Sequence, residues 1–181
     1  NHENTREKYL KYKKYLFVDE FQDMNQTHFD LISEYVNSGS YLTVVGDDSQ
    51  NIYTFRGSNV KYLINFQKYM KYALSYTLTI NFRSTSHIIN LANISIDHNE
   101  SNIPKRMLCG RNDEGFKPEM QMYSSFTEQV EDIIKKIFTF MFKGIPKHEI
   151  CILARNNGLL YILEEKLEEN GLENVLLDGK E

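Results

Sequence analysis

The chain has 181 residues, 41% hydrophobic and 25% charged, with a formal net charge of −4. That length holds one domain or two small ones, and no apolar run approaches the about 20 residues of a membrane span. An acidic balance excludes a broad basic phosphate-binding face, so any nucleic-acid contact should be narrow, made by stacking and a few cations.

The start, Asn1-His2-Glu3-Asn4, has no secretory pattern, and the missing initiator Met fits either a fragment or a processed chain. Lys8, Lys11, Lys13 and Lys14 read as a solvated face. Tyr15-Leu16-Phe17-Val18 is a short apolar run, expected as a strand over 15–19 buried on both faces. It runs into Asp19-Glu20-Phe21-Gln22-Asp23. A helix is expected over 25–37, with Phe29, Ile32 and Val36 as its apolar stripe and Gly39 ending it. A second buried strand over 41–46, from Tyr41 to Val45, runs into Gly46-Asp47-Asp48-Ser49-Gln50.

Helix is expected over 59–70, and strand over 75–80, where Ser75 to Ile80 alternate polar and apolar. Ser84 or Thr85 can cap the next helix, which carries Ile88, Ile89, Ala92 and Ile96 on one face. Residues 97–118 turn polar and are punctuated by Pro104 and Pro118, the pattern of a linker. Beyond it come a strand over 119–123 and a helix over 127–142. That helix has a clear apolar period through Val130, Ile133, Ile134, Ile137, Phe138 and Met141. Glu149 to Ala154 reads as another buried strand. Asn156 or Asn157 then caps a helix with Leu159, Leu160, Leu163 and Leu167, ending at Gly171. Strand and helix alternate throughout, so the expected class is α/β with parallel sheets.

Carboxylates at the carboxyl ends of two buried strands lie where open α/β sheets bind ligands. One aspartate on a hydrated magnesium ion and a glutamate orienting a water is the pairing phosphoryl transfer requires. Gln50 can contact a phosphate or water without adding charge. Tyr53, Phe55 and Arg56 present three flat groups in one short segment. They can stack on bases of any sequence, and core packing is the alternative reading of Tyr-x-Phe taken by itself. Asn81-Phe82-Arg83-Ser84-Thr85 ends a strand and opens a helix; an aromatic beside an arginine can cover a purine and reach a phosphate. The five histidines are scattered and Cys109 and Cys151 are far apart. No zinc site is expected, and a reduced, cytoplasmic compartment is. No G-x-x-x-x-G-K-[ST] loop occurs; the one Gly-Lys pair, Gly179-Lys180, is followed by Glu181.

Together these residues resemble the UvrD/Rep/PcrA group of superfamily-one DNA helicases. Phe17-Val18-Asp19-Glu20-Phe21-Gln22-Asp23 is similar to the family's second motif, and Val44 through Gly57 to its third. Leu78-Thr79-Ile80-Asn81-Phe82-Arg83-Ser84-Thr85 is similar to the fourth, with Phe82 where the family mostly has tyrosine. Ile152 to Asn157, with Leu163 to Leu167, resembles the segment opening the central part of the second motor domain. The resemblance implies RecA-like parallel sheets with flanking helices. Residues 1–96 would be the C-terminal part of a first motor domain, 97–118 a linker, and 119–181 the N-terminal part of a second.

It also implies an ATP-dependent helicase that moves on single-stranded DNA with ATP and Mg²⁺, and an isolated chain without useful turnover, since the family's phosphate loop is absent. Asp19 would hold Mg²⁺, Glu20 activate water, and Gln50 sense the γ-phosphate. Tyr53, Phe55 and Arg56 would face DNA, with Arg56 linking that groove to the nucleotide site. Phe82 would stack on adenine, Arg83 contact the γ-phosphate, and Arg155 touch DNA or the other domain. Two alternatives stand beside this: a non-catalytic remnant that binds DNA or a protein, and the motor of a helicase–nuclease repair enzyme.

Overall fold

A computed structural model describes residues 9–10, 13–99 and 103–177. His2, Lys8, Lys11, Gly179, Lys180 and Glu181 lie outside the described residues, as do 100–102 of the expected linker. The chain divides into two compact units, Asn1–Pro118 and Glu119–Glu181.

The first unit contains a β–α–β crossover. Strand β1 (Tyr15–Val18) pairs in parallel with β2 (Tyr41–Val44), Tyr15 opposite Tyr41 and Val18 opposite Val44. Helix α1 (Gln26–Asn37) connects them. Asn25 caps α1, its side-chain oxygen accepting the His28 N–H at 3.0 Å. Gly39, at φ +95°, turns the chain out of it. Phe29 and Ile32 of α1 join Phe21 and Tyr62 in the core, with Leu16, Val18, Leu42 and Val44 packed against them. Phe29 stacks on Tyr62, ring centroids 4.3 Å apart, and Phe21 meets Phe66 edge-on.

Among the described residues, only one face of this sheet is covered. Tyr15, Phe17, Tyr41 and Val45 are exposed, which corrects the expectation of strands buried on both sides. Side chains alternate across a strand, and the packed helix and turns of the first unit lie on the Leu16–Val18 face alone. The helix expected over 59–70 is two four-residue helices, α2 (Lys61–Ile64) and α3 (Phe66–Tyr69), divided at Asn65. Asn65 ends one and begins the other, in keeping with asparagine's preference for helix ends.

The strand expected over 75–80 is reduced to β3 (Ile80–Asn81), which pairs in parallel with β4 (Leu108–Cys109). Leu74, Tyr76 and Leu78 alternate as a strand should but are exposed, and among the described residues no strand pairs with them. Helix α4 (Ser86–Ile96) comes next, with Thr85 at its N-cap position. Of its expected apolar face, Ile89 is buried and Ile88 exposed. The described part of the expected 97–118 linker supplies β4, and Asn93 of α4 donates to the Met107 carbonyl and accepts the Met107 N–H, both at 3.0 Å. These residues therefore belong to the first compact unit.

The second unit packs α5 (Phe126–Phe142) with α6 (Asn157–Glu169). Ser125 caps α5, and Glu128 reaches back to the Ser124 N–H and hydroxyl. Asn156 caps α6. Val130, Ile134 and Ile137 meet Leu163, Leu167 and Leu172. The strands expected over 119–123 and 149–154 are not formed among the described residues. Ile150 and Ile152 still pack on the core while Leu153 is exposed, so the alternation survives without a partner strand. The fold is mixed α/β, with two small parallel sheets among the described residues. No helix of the described residues is long and apolar enough to cross a membrane.

Candidate nucleotide and nucleic-acid site

The two acidic segments meet because the parallel ladder continues past its strands. The Val45 N–H donates to the Val18 carbonyl at 2.8 Å, and the Phe21 N–H to the Val45 carbonyl at 2.9 Å. Asp19-Glu20 and Gly46-Asp47 thereby leave the sheet side by side. The turn is tight enough that Glu20 sits at φ 50°, ψ 43°, the left-handed region a non-glycine residue seldom occupies. Such backbone strain concentrates at functional positions. The Asp19 carboxylate accepts the Glu20 N–H at 2.9 Å.

Gln22 organises the junction between these segments, although the sequence pattern assigned it no role. It is 2% exposed. Its Nε2 donates to Glu20 Oε2 at 2.7 Å, its Oε1 accepts the Asp47 N–H at 3.0 Å, and its own carbonyl accepts from Asn51 Nδ2. One buried amide thus ties both acidic segments together. A Cβ on Gly46 would stand 2.8 Å from Gln22 Oε1 and 3.2 Å from the Gln22 nitrogen, so close approach requires glycine here. A glutamine two residues after an acidic pair is the one signal the sequence offers for it.

Asp47 extends the chain of hydrogen bonds. Its Oδ1 accepts the Ser49 N–H at 3.0 Å, and its Oδ2 accepts from Gln50 Nε2 at 2.8 Å. Lys105, which no motif singled out, donates to Asp47 Oδ1 at 2.6 Å and to Asp48 Oδ1. Burial works against the Asp47 charge, but hydrogen bonds from Lys105, Gln50 and Ser49 outweigh it and hold the carboxyl below its ordinary value. Glu20, Gln22, Asp47 and Gln50 therefore form one continuous network.

Beyond Gln50, a tight turn (Thr54–Arg56) ends at Gly57, φ +82°. Phe55 is 77% exposed, which removes the core-packing reading. The Arg56 guanidinium lies 5.1 Å from the Tyr53 ring centroid and 5.5 Å from that of Phe55. The three form a flat-faced surface cluster stabilised by cation–π attraction.

Phe82 and Arg83 sit elsewhere in the same unit. Both are exposed. Asn81 Oδ1 accepts the Arg83 and Ser84 N–H groups at 2.9 and 2.8 Å, setting the turn into α4. A Cβ on Gly110 would come 2.6 Å from the Phe82 ring, so that ring lies against bare backbone. Arg111 forks onto Asp113 at 2.6 and 2.7 Å and donates to the Arg83 carbonyl at 3.0 Å. No hydrogen bond or ion pair among the described residues joins Phe82 or Arg83 to Asp19, Glu20 or Gln50. Arg155 is exposed in the second unit, just before α6.

The family profile described as the UvrD/REP helicase N-terminal domain matches residues 1–71. The UvrD-like helicase C-terminal domain profile matches residues 76–181, more than half of the chain. The chain belongs to the UvrD-like helicase family. Among curated relatives, the ATP-dependent DNA helicase PcrA of Staphylococcus epidermidis is 33% identical over 178 residues, 97% of this chain and 24% of the relative. A probable DNA helicase II homolog of Mycoplasma capricolum is 33% identical over 165 residues, covering 91% of this chain and 23% of that protein. PcrA of Staphylococcus aureus is 31% identical over 169 residues, 92% and 23% respectively. This UvrD-like chain thus spans about a quarter of the length of the curated relatives it matches. The boundary between the two profiles falls between α3 and β3, so the Glu20–Gln50 network lies in the N-terminal match and Phe82, Arg83 and Lys105 in the C-terminal one.

Proposed function

We propose that this chain is the switch-bearing part of an ATP-dependent DNA helicase that couples nucleotide hydrolysis to movement on single-stranded DNA. The carrying observation is the unbroken hydrogen-bond path from Glu20 through Gln22 and Asp47 to Gln50, three residues before the exposed Tyr53–Phe55–Arg56 cluster. It gives a physical route between a hydrolytic carboxylate and a surface suited to stacking on bases.

In this reading Gln22 occupies Glu20 Oε2 and leaves the second oxygen to take a proton from the attacking water. The Asp19 carboxylate is exposed and a hard oxygen donor, which suits Mg²⁺. No three His, Cys, Asp or Glu side chains of the described residues form a metal cage, so the cation would take one or two carboxylates and otherwise phosphate and water. When bound, Mg²⁺ supplies neutralisation of phosphate charge. Gln50 exchanges its Asp47 partner for a phosphate oxygen and so reports the nucleotide state. Phe82 covers the adenine, and Arg83 brings a bidentate donor to the γ-phosphate. Tyr53 and Phe55 stack on successive bases, Arg56 links them to the nucleotide side, and Arg155 adds a further contact to DNA.

The test is Glu20→Gln in the complete helicase that carries this chain. Steady-state ATPase should fall at least about 100-fold, since a positioned base contributes that much, while nucleotide binding is kept. Turnover within a few-fold of the parent would remove Glu20 from the role. The 181-residue chain alone, which contains no G-x-x-x-x-G-K-[ST] loop, should release no phosphate above background.

A further inference from the structure

We propose that Lys105 is a positioning residue for the Asp47–Gln50 turn: pairing with Asp47 and Asp48, it holds the acceptor that in turn holds the Gln50 amide. Its side chain is 14% exposed and its ammonium lies 2.6 Å from Asp47 Oδ1, with Asp48 Oδ1 as its second partner. The Asp48 side chain is 2% exposed and also accepts the Ile103 N–H at 2.8 Å. Residues 103 to 105 therefore grip the turn twice, through a main-chain donor and a side-chain cation.

Electrostatics explains why a cation is needed there. Two adjacent carboxylates, one of them buried, repel each other and lose hydration. Lys105 sits on both. Burial would lower its pKa, but the two aspartates raise it above its ordinary value, so the ammonium remains charged. A pair this enclosed is not an interchangeable surface ion pair, and removing one partner strands a charge. With Lys105 in place, Asp47 keeps Oδ2 on Gln50 while its charge is neutralised beside the position an anionic phosphate would approach. The latch also spans the two matched family regions, with Asp47 in the N-terminal and Lys105 in the C-terminal one. Nothing about residue 105 in isolation suggests this, since it lies 58 positions from Asp47.

The inference rests on Gln50 being the nucleotide-sensing residue. In the complete helicase, Lys105→Met and Asp47→Asn should each lower kcat about tenfold or more, the scale of a charged hydrogen bond, with KM for ATP moved far less. The double variant should lose no more than the worse single, because both break one latch. Effects that multiply, or a kcat for Lys105→Met within twofold of the parent, would overturn the role. Hydrogen exchange of amides 46–52 without nucleotide gives a readout independent of turnover. Exchange there should quicken in Lys105→Met while α1 stays protected, and unchanged exchange would overturn the latch. If the parent enzyme shows no ATPase, the helicase reading fails and the latch stands or falls on exchange. If Lys105→Met does not fold, Lys105→Gln with Asp48→Asn leaves no stranded charge at Asp48 and is read by the same two measurements.

Discussion

Gly46→Ala is the sharpest probe of the junction between the two acidic segments. The new Cβ would stand 2.8 Å from Gln22 Oε1, 3.1 Å from Leu63 Cδ2 and 3.2 Å from the Gln22 nitrogen. All three are closer than ordinary van der Waals contact, and the nitrogen is main chain inside a hydrogen-bonded turn that cannot yield freely. Gly46 has no positive φ, so the penalty is purely one of space. Overpacking of this kind costs about 1–3 kcal/mol. Relief would come by pushing Gln22 Oε1 off the Asp47 N–H, at about 1–3 kcal/mol for an unsatisfied buried donor, so the total should stay near 2–3 kcal/mol whichever group moves. The assay is urea unfolding measured by far-UV circular dichroism, since the chain has no tryptophan. The same substitution in a Gln22→Ala background separates the causes. With the amide gone, the shortest clash disappears while those with Leu63 and the Gln22 nitrogen remain, so the cost of the alanine should fall by roughly half. A cost below about 0.5 kcal/mol, the usual range for surface changes, or an equal cost in both backgrounds, would refute the close packing of Gly46 on Gln22.

Phe55→Ala should leave stability within about 0.5 kcal/mol, because the ring is largely exposed, yet weaken single-stranded DNA binding of the complete helicase by about 1–3 kcal/mol with little sequence preference. A collapse in melting temperature with unchanged DNA affinity would contradict it. Asn93→Ala should destabilise the first unit by about 2–4 kcal/mol, since it strands both the Met107 N–H and carbonyl that its amide serves; the exposed Asn90→Ala is the control, and equal melting of the two would count against the anchoring of Met107 on α4. The folded-state pKa of Asp47 is depressed below 3.8. The stability it contributes is therefore present above pH 3.8 and lost as the pH falls through the lowered value. Acid titration of Asp47→Asn against the parent should show the parent's advantage shrinking across that window, and parallel curves would refute the shift.

Much of the local structure could be read from the chain alone. Helices α1, α5 and α6 arise from apolar residues three and four apart, and Asn156 is one of the two caps the sequence offers for α6, whereas the caps Asn25 and Ser125 emerge only with the structure. The two acidic segments after short apolar runs located the candidate site, because a parallel crossover brings successive strand ends together. These signals are local: each depends on neighbours within one turn or one strand. What the tertiary structure decided depends on partners distant in sequence. Whether an alternating run becomes a strand depends on a neighbouring backbone; Ile80 and Asn81 have one, whereas Leu74 to Leu78 and Ile150 to Leu153 have none among the described residues. Which face of β1 and β2 is bare depends on where α1 and the turn at Phe21 pack. Gln22 and Lys105 look ordinary as letters. Their roles arise because folding brings a buried amide onto Asp47 and a cation onto two carboxylates far along the chain.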